Sequence, residues 1–134
     1  MKKALKYNEL TRKVIGAAIT VHRELGPGLL ESVYQCCLFQ ELKDLAIPAA
    51  EQVAVPIIYK GKLVAHDLRL DLLVDDRLVL EIKSVQEVHP IHRAQLISYM
   101  KLADKKMGLL MNFNVAKLTD GVERLMNGYL LDGE

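Results

Sequence analysis

The stretch from Leu68 to Lys83, LRLDLLVDDRLVLEIK, constrains the fold more tightly than any other part of the chain. It reads as two short apolar strands joined by a tight acidic turn, with Asp71, Glu81 and Lys83 set among hydrophobic residues. Side chains alternate along a strand, so Glu81 and Lys83 point one way and Ile82 the other. Leu70, Leu72 and Val74 form one apolar row, and Leu78, Leu80 and Ile82 form a second. A slip of one residue turns a whole row to the opposite face, so burial of both rows in one core requires them to share a face. That register pairs Val74 with Leu78 and leaves Asp75-Asp76-Arg77 as a three-residue loop, a common hairpin length. It also sets Asp71 opposite Glu81. Carboxylates so placed repel, and only Lys83 and Arg69 on that face can offset them. A divalent cation would do so. The competing reading makes Asp71, Glu81 and Lys83 the solvated face of an edge hairpin.

The rest of the chain is sized for one domain, with a helix and Gly-Pro-Gly break over 1–27 and a core over 28–134. At 134 residues it can bury about two-thirds of its unfolded surface. Aromatic residues are only 5% of the chain and Trp is absent, so aliphatic side chains must do the packing. The net charge is +1, which argues against indiscriminate coating of nucleic acid. Any contact with nucleic acid must come from a local patch, a homodimer groove or a protein partner. Cys36 and Cys37 are adjacent, which excludes a four-cysteine metal site and argues for buried thiols in a reducing cytoplasm. The start, MKKALKYNEL, has no apolar signal core, and no run approaches the roughly 18 apolar residues that span a bilayer. A cytoplasmic protein with no membrane association is expected.

Leu10, Val14, Ala18, Val21 and Leu25 have helical spacing, and Gly26-Pro27-Gly28 ends that helix. His22 lies one step off the stripe and reads as a packed or hydrogen-bonded structural histidine. A second helix is expected over Leu29 to Leu45, with Glu31, Tyr34, Leu38 and Leu42 on one face. Glu31 is favoured in a first turn by the helix dipole; on spacing alone it can equally face the acidic pair. Glu51 to Tyr59 is β-rich, and Pro56 marks an edge or a bulge. Lys60-Gly61 turns the chain into a long strand, with a bend at His66-Asp67 that makes Asp67 turn chemistry. These strands form an antiparallel meander ending at Lys83. Pro90 opens a helix to Lys105 with apolar residues Ile91, Ala94, Ile97, Met100, Leu102 and Ala103. Gln95 and Tyr99 share one of its faces, with His92 a turn earlier. Met107 to Phe113 reads as a buried strand, parallel to Leu78–Lys83 if it joins beside it. Thr119 to Tyr129 is open between helix and strand.

Two carboxylates on neighbouring strands suit a hard cation. Mg²⁺ takes oxygen ligands and keeps several waters, so Asp71, Glu81 and the main-chain carbonyl of Ile82 would suffice. Lys83 beside it could orient a metal-activated water and stabilise charge in the transition state. No zinc-spaced His/Cys cluster, phosphate-binding glycine loop or nucleophile elbow is present.

The order of Asp71 and Glu81-Ile82-Lys83 resembles the metal-binding core of the PD-(D/E)XK nuclease superfamily, with Leu70 where that family usually has proline. Gly28-Leu29-Leu30-Glu31-Ser32-Val33-Tyr34 resembles the signature of its GxxExxY branch. The likeness runs from Val21-His22 through Gly26-Pro27-Gly28 to Asn112-Phe113-Asn114. It implies an α/β (α+β), restriction-endonuclease-like αβββαβ core, a mixed central sheet flanked by helices. It further implies Asp71 and Glu81 as carboxylate ligands of Mg²⁺ or Mn²⁺, Glu31 as the helix acid and Lys83 as the catalytic lysine. Gln95 and Tyr99 resemble the Q-x-x-x-Y that lines the site in exonuclease-like members, and His22 has a counterpart in some of them. DNA is the implied substrate. The alternative function is a non-catalytic module that binds nucleic acid or protein and retains the fold.

Overall fold

The computed structural model describes residues 5–134. Two helices come first, α1 (Tyr7–Leu25) and α2 (Glu31–Asp44). Three strands follow, β1 (Ala49–Tyr59), β2 (Lys62–Val74) and β3 (Leu78–Lys83). Helix α3 (Pro90–Ala103) leads to β4 (Met107–Asn112), and a 3-10 turn at Leu118–Gly121 leads to β5 (Val122–Met126). The order contains the expected αβββαβ, with helix α1 before it and strand β5 after it. The five strands lie in the sheet order β1-β2-β3-β4-β5, and only the β3–β4 pair is parallel. This mixed sheet flanked by helices is the restriction-endonuclease-like arrangement.

The centre of the sheet is buried on both faces. Leu10, Val14 and Val21 of α1, with Tyr34, Leu38 and Leu42 of α2, pack on Leu72, Val74, Leu78, Leu80, Ile82 and the inner residues of β4. On the other face Leu96 and Met100 of α3 cover Leu73, Val79 and Leu110. Two-sided burial explains why β3 and β4 are continuous apolar runs rather than alternating ones. Gly108 on β4 lets α3 come close, because a Cβ there would press on Leu96 and Met100. Among the described residues no helix is long and apolar enough to cross a membrane.

The hairpin register is the one required by burial: Val74 pairs with Leu78, Leu73 with Val79 and Leu72 with Leu80. Asp75 and Asp76 take positive φ in the three-residue loop, where Arg77 pairs with Asp75 at 2.6 Å. Pro56 lies on an edge strand and also at a register shift, and the extra residue opposite that shift falls at His66-Asp67. The bend expected there is therefore a bulge within one continuous strand.

Three expectations are corrected. Leu70 does not share a face with Leu72 and Val74; it joins Val55, Leu73 and Val79 beneath α3. Regular pairing with β3 stops at Leu72, and Gln52, between the Glu51–Leu72 and Val53–Leu70 pairs, has φ 49°, so β2 twists as it leaves β3. The buried face of α3 centres on Leu96 and Met100, while Ile91 (69% exposed) and Leu102 point to solvent. The helix packs on a flat sheet along a narrow stripe, and six apolar residues over-described it. Cys36 is exposed and Cys37 half-buried, both as free thiols. Tyr34, Leu38 and Leu42 fill the buried face of α2 and leave the cysteines on its flanks. Thr119–Tyr129, left open by the sequence, contains the end of the 3-10 turn and edge strand β5.

Candidate metal centre and active site

The hairpin opens at its acidic pair. Beyond Leu72–Leu80 the next residues outward are Asp71 and Glu81, and there side chains replace main-chain pairing. Asp71 Oδ2 accepts the Ile82 N–H at 2.8 Å, and Glu81 Oε1 accepts the Asp71 N–H at 3.3 Å. A forked strand pair of this kind draws two carboxylates toward the same backbone without giving either a cation.

Electrostatics register the consequence. Glu81 is only 7% exposed, and burial first, then the Asp71 charge, pushes its carboxyl up to about 7. Burial also raises Asp71, opposed by the Ile82 N–H and the Lys83 charge. Both acids also feel Glu31 from α2. A carboxylate pair of this kind, one member buried and one half-buried and both held above their ordinary range, is stabilised by a nearby divalent charge. The donors are oxygens, the type a hard cation takes. Among the described residues no three His, Cys, Asp or Glu side chains are grouped to hold an ion unaided. The residues present thus fit a cation that takes two carboxylates and fills its other positions with a carbonyl and water.

Glu31 reaches the site through the segment after β3. Its Oε1 accepts the Ser84 N–H at 3.3 Å, while Ser84 Oγ donates to the Leu29 carbonyl at 2.6 Å. The start of α2 is therefore tied twice to Ser84, the residue after Lys83. A hollow of about 350 Å³ lies there, lined by Leu29, Leu30, Glu31, Ser32 and Ser84. A second hollow of about 440 Å³, by the Arg93–Glu123 pair between α3 and β5, is lined by none of these carboxylates; it reaches the strand next to β3 at Asn112.

The G-x-x-E-x-x-Y stretch has a physical logic in this arrangement. Gly28 adopts φ 95°, a conformation open to glycine. Tyr34 is wholly buried, donates its OH to the Gly26 carbonyl at 2.6 Å and accepts the Leu29 N–H at 3.1 Å. Its ring stacks on Phe113 with centroids 4.5 Å apart. The tyrosine thus pins the loop that carries Glu31. His22 is buried, as expected of a structural histidine, with its Nε2 2.8 Å from the Val115 carbonyl oxygen.

Gln95 and Tyr99 hydrogen-bond to each other on α3. Among the described residues neither bonds to the acidic pair. They flank the sheet face toward which alternation aims Glu81 and Lys83, the face of Val79 beneath α3. His92 Nδ1 accepts the His89 N–H at 3.1 Å, so that residue caps α3.

Four residues of the site were not anticipated. Gln52 donates to Asp71 Oδ1 at 3.5 Å and to Gln35 Oε1 at 2.7 Å, and Gln35 in turn donates to Glu51 at 3.1 Å. Gln35 is four residues after Glu31, so the helical face that presents one presents the other; that signal was readable. Gln52 gives no such signal, because a left-handed glutamine inside a strand is unusual. Ser84 follows Glu81-Ile82-Lys83 directly. Asn112 is buried beside Lys83, accepts the Val85 and Asn114 N–H groups and donates to the Val85 carbonyl.

Comparison with known proteins finds a family model, described as the PD-(D/E)XK nuclease superfamily, that matches residues 8–125. No curated protein and no solved structure matches the chain.

Proposed function

The chain belongs to the PD-(D/E)XK nuclease superfamily, and on that premise we propose that it hydrolyses DNA phosphodiester bonds with Mg²⁺ or Mn²⁺ as cofactor. The observation that carries this reading is the fork at Asp71 and Glu81, where a buried and a half-buried acid meet with Lys83 one residue beyond Ile82. The G-x-x-E-x-x-Y stretch supports placement in the GxxExxY branch.

In this reading Asp71, Glu81 and the Ile82 carbonyl hold the cation, which supplies Lewis acidity and lowers the pKa of a water molecule. Lys83 stabilises negative charge that builds on the phosphoryl oxygens and orients the attacking water. Glu31 holds the Ser84 amide and keeps the segment after Lys83 in place. Gln95 and Tyr99 line the entry from α3 and orient the scissile strand. A domain of this size with net charge +1 draws further binding surface from a second copy or a protein partner.

The test is incubation of purified protein with single- and double-stranded DNA in Mg²⁺ or Mn²⁺. Cleavage that needs the metal and falls in Asp71→Asn and Lys83→Ala supports the reading. Equal cleavage by wild type and Lys83→Ala removes Lys83 from the mechanism. A second reading draws on the fact that both acids already accept main-chain N–H groups, as structural carboxylates do. It makes the domain a non-catalytic binding module, and predicts no heat of Mg²⁺ or Mn²⁺ binding and DNA affinity untouched by Asp71→Asn.

A further inference from the structure

Both ladders of β2 break at Asp71. Pairing with β3 stops at Leu72–Leu80, one residue short of Asp71 and Glu81. Pairing with β1 skips one position between Glu51–Leu72 and Val53–Leu70, and the residues facing each other across that gap are Gln52 and Asp71. Asp71 is thus flanked by Glu81 on one neighbouring strand and by Gln52 on the other. Gln52 donates from Nε2 to Asp71 Oδ1 at 3.5 Å, while Asp71 Oδ2 takes the Ile82 N–H at 2.8 Å. Each oxygen of this carboxylate is therefore met by a donor from a different strand.

Gln52 is held in a strained conformation while it makes this contact. Its φ of 49° lies in the left-handed region, which a residue with a Cβ enters only against steric resistance. Ala46, Lys60, Asp75, Asp76 and Asp104 share that sign of φ, and each lies in a turn or at a helix end. Among the described residues, Gln52 is the one non-glycine residue inside a strand that does so. Such a conformation persists only where its surroundings hold it, and residues of this kind gather at functional sites. Here Arg69 donates to the Gln52 carbonyl at 3.2 Å, and Gln52 Nε2 donates to Gln35 Oε1 at 2.7 Å.

Gln35 decides which end of the Gln52 amide meets Asp71. Its own Nε2 donates to Glu51 Oε2 at 3.1 Å, and an ionised carboxylate can only accept. Glu51 therefore takes the NH₂ end of Gln35 and leaves Oε1 turned toward Gln52. Gln52 must answer with N–H, and the same NH₂ group reaches Asp71. The chain Glu51–Gln35–Gln52–Asp71 thus sets a donor, not a lone pair, beside the carboxylate. We propose that Gln52 is a positioning residue for Asp71, and that Gln35 and Glu51 act through it to hold that carboxylate ready for a divalent cation. The proposal rests on the cation site of the proposed function but not on cleavage, so ion binding alone tests it.

The experiment is Mn²⁺ titration calorimetry on the full chain, paired with thermal unfolding in chelator. Gln52→Gly adopts a φ of 49° without strain, so the metal-free variant should unfold close to the wild-type temperature. Its Mn²⁺ affinity should nevertheless fall about 10–100-fold, the usual effect of removing a group that orients a metal ligand. Gln35→Met keeps the bulk of the side chain and touches neither acid. It should weaken Mn²⁺ binding severalfold in the wild-type background and no further in Gln52→Gly, because the two residues act in series. Wild-type Mn²⁺ affinity in Gln52→Gly, whatever its unfolding temperature, makes Gln52 a structural residue and overturns the proposal while leaving the cation site standing. Additive losses in the double variant separate Gln35 from Gln52 and overturn the relay. A wild type that binds no Mn²⁺ overturns the cation site and this proposal with it.

Discussion

Asp71 and Glu81 each accept a main-chain N–H from across the forked hairpin, Asp71 from Ile82 at 2.8 Å and Glu81 from Asp71 itself at 3.3 Å. The exchange fixes both carboxylates near one point while leaving oxygen lone pairs free. It also stores electrostatic cost, because Glu81 is buried beside a second acid and its carboxyl is pushed up to about 7 from 4.5.

That cost sets the pH dependence of the metal-free protein. The folded state holds the Glu81 proton more tightly than the unfolded chain does, so this contribution to stability is complete below about 4.5 and declines as pH rises toward 7. Asp71, also raised, acts in the same direction. The loss amounts to about 3 kcal/mol, or roughly 10 °C in Tm for a chain of this size. Thermal unfolding in chelator at pH 5 and pH 8 should show it. Added Mn²⁺ should reverse it at pH 8, and Glu81→Gln should remove the metal response and most of the pH dependence, leaving the smaller part from Asp71.

Lys83 follows Ile82 out of β3 and is half-buried, with its charge felt by both acids. Lys83→Ala should lower cleavage by about 10²–10³-fold, the usual effect of losing one preorganised group that stabilises transition-state charge. Mn²⁺ affinity measured by calorimetry should remain within a few-fold of wild type. A parallel collapse of metal binding would make the lysine a structural counter-charge instead.

Tyr34 ties Gly26 to Leu29 through one hydroxyl. Tyr34→Phe keeps the stack on Phe113 but leaves an N–H and a carbonyl without that partner. Urea unfolding should show a loss of about 1–2 kcal/mol. Because the freed loop carries Glu31, cleavage should fall more than the lost stability accounts for at temperatures where the protein remains folded.

How far the sequence revealed this site depended on whether each signal was local. Burial alone fixed the Val74–Leu78 register and so set Asp71 opposite Glu81. Helical spacing left Glu31 open between a helix-dipole residue and a site residue, and only the family resemblance grouped it with the acids and Lys83. Gln52 and Ser84 could not be found that way. Their roles come from a left-handed strand residue and from a loop meeting a helix start over 50 residues away in the chain. Leu70 misled for the same reason: alternation assumes a flat strand, and β2 twists where it leaves β3. On α3 the apolar residues outnumbered the places a sheet can offer, so composition concealed Leu96.

Gly121 closes the 3-10 turn next to Asn112, the residue that clamps Val85 after Lys83. A Cβ at Gly121 would overlap the Asn112 main-chain oxygen, and that backbone belongs to a central strand and cannot retreat easily. Gly121→Ala should therefore cost about 2–3 kcal/mol, in the range of overpacked cores. It should also shift β4 against β3 and so reduce cleavage. Gly16→Ala is the matched comparison: Gly16 is exposed in α1, nothing lies within 4 Å of its would-be side chain, and alanine is the better helix former. That substitution should stabilise the protein by about 0.5–1 kcal/mol. Denaturant midpoints for the two variants should move in opposite directions from wild type; a Gly121→Ala midpoint at or above wild type would mean that β4 and the turn can part without cost.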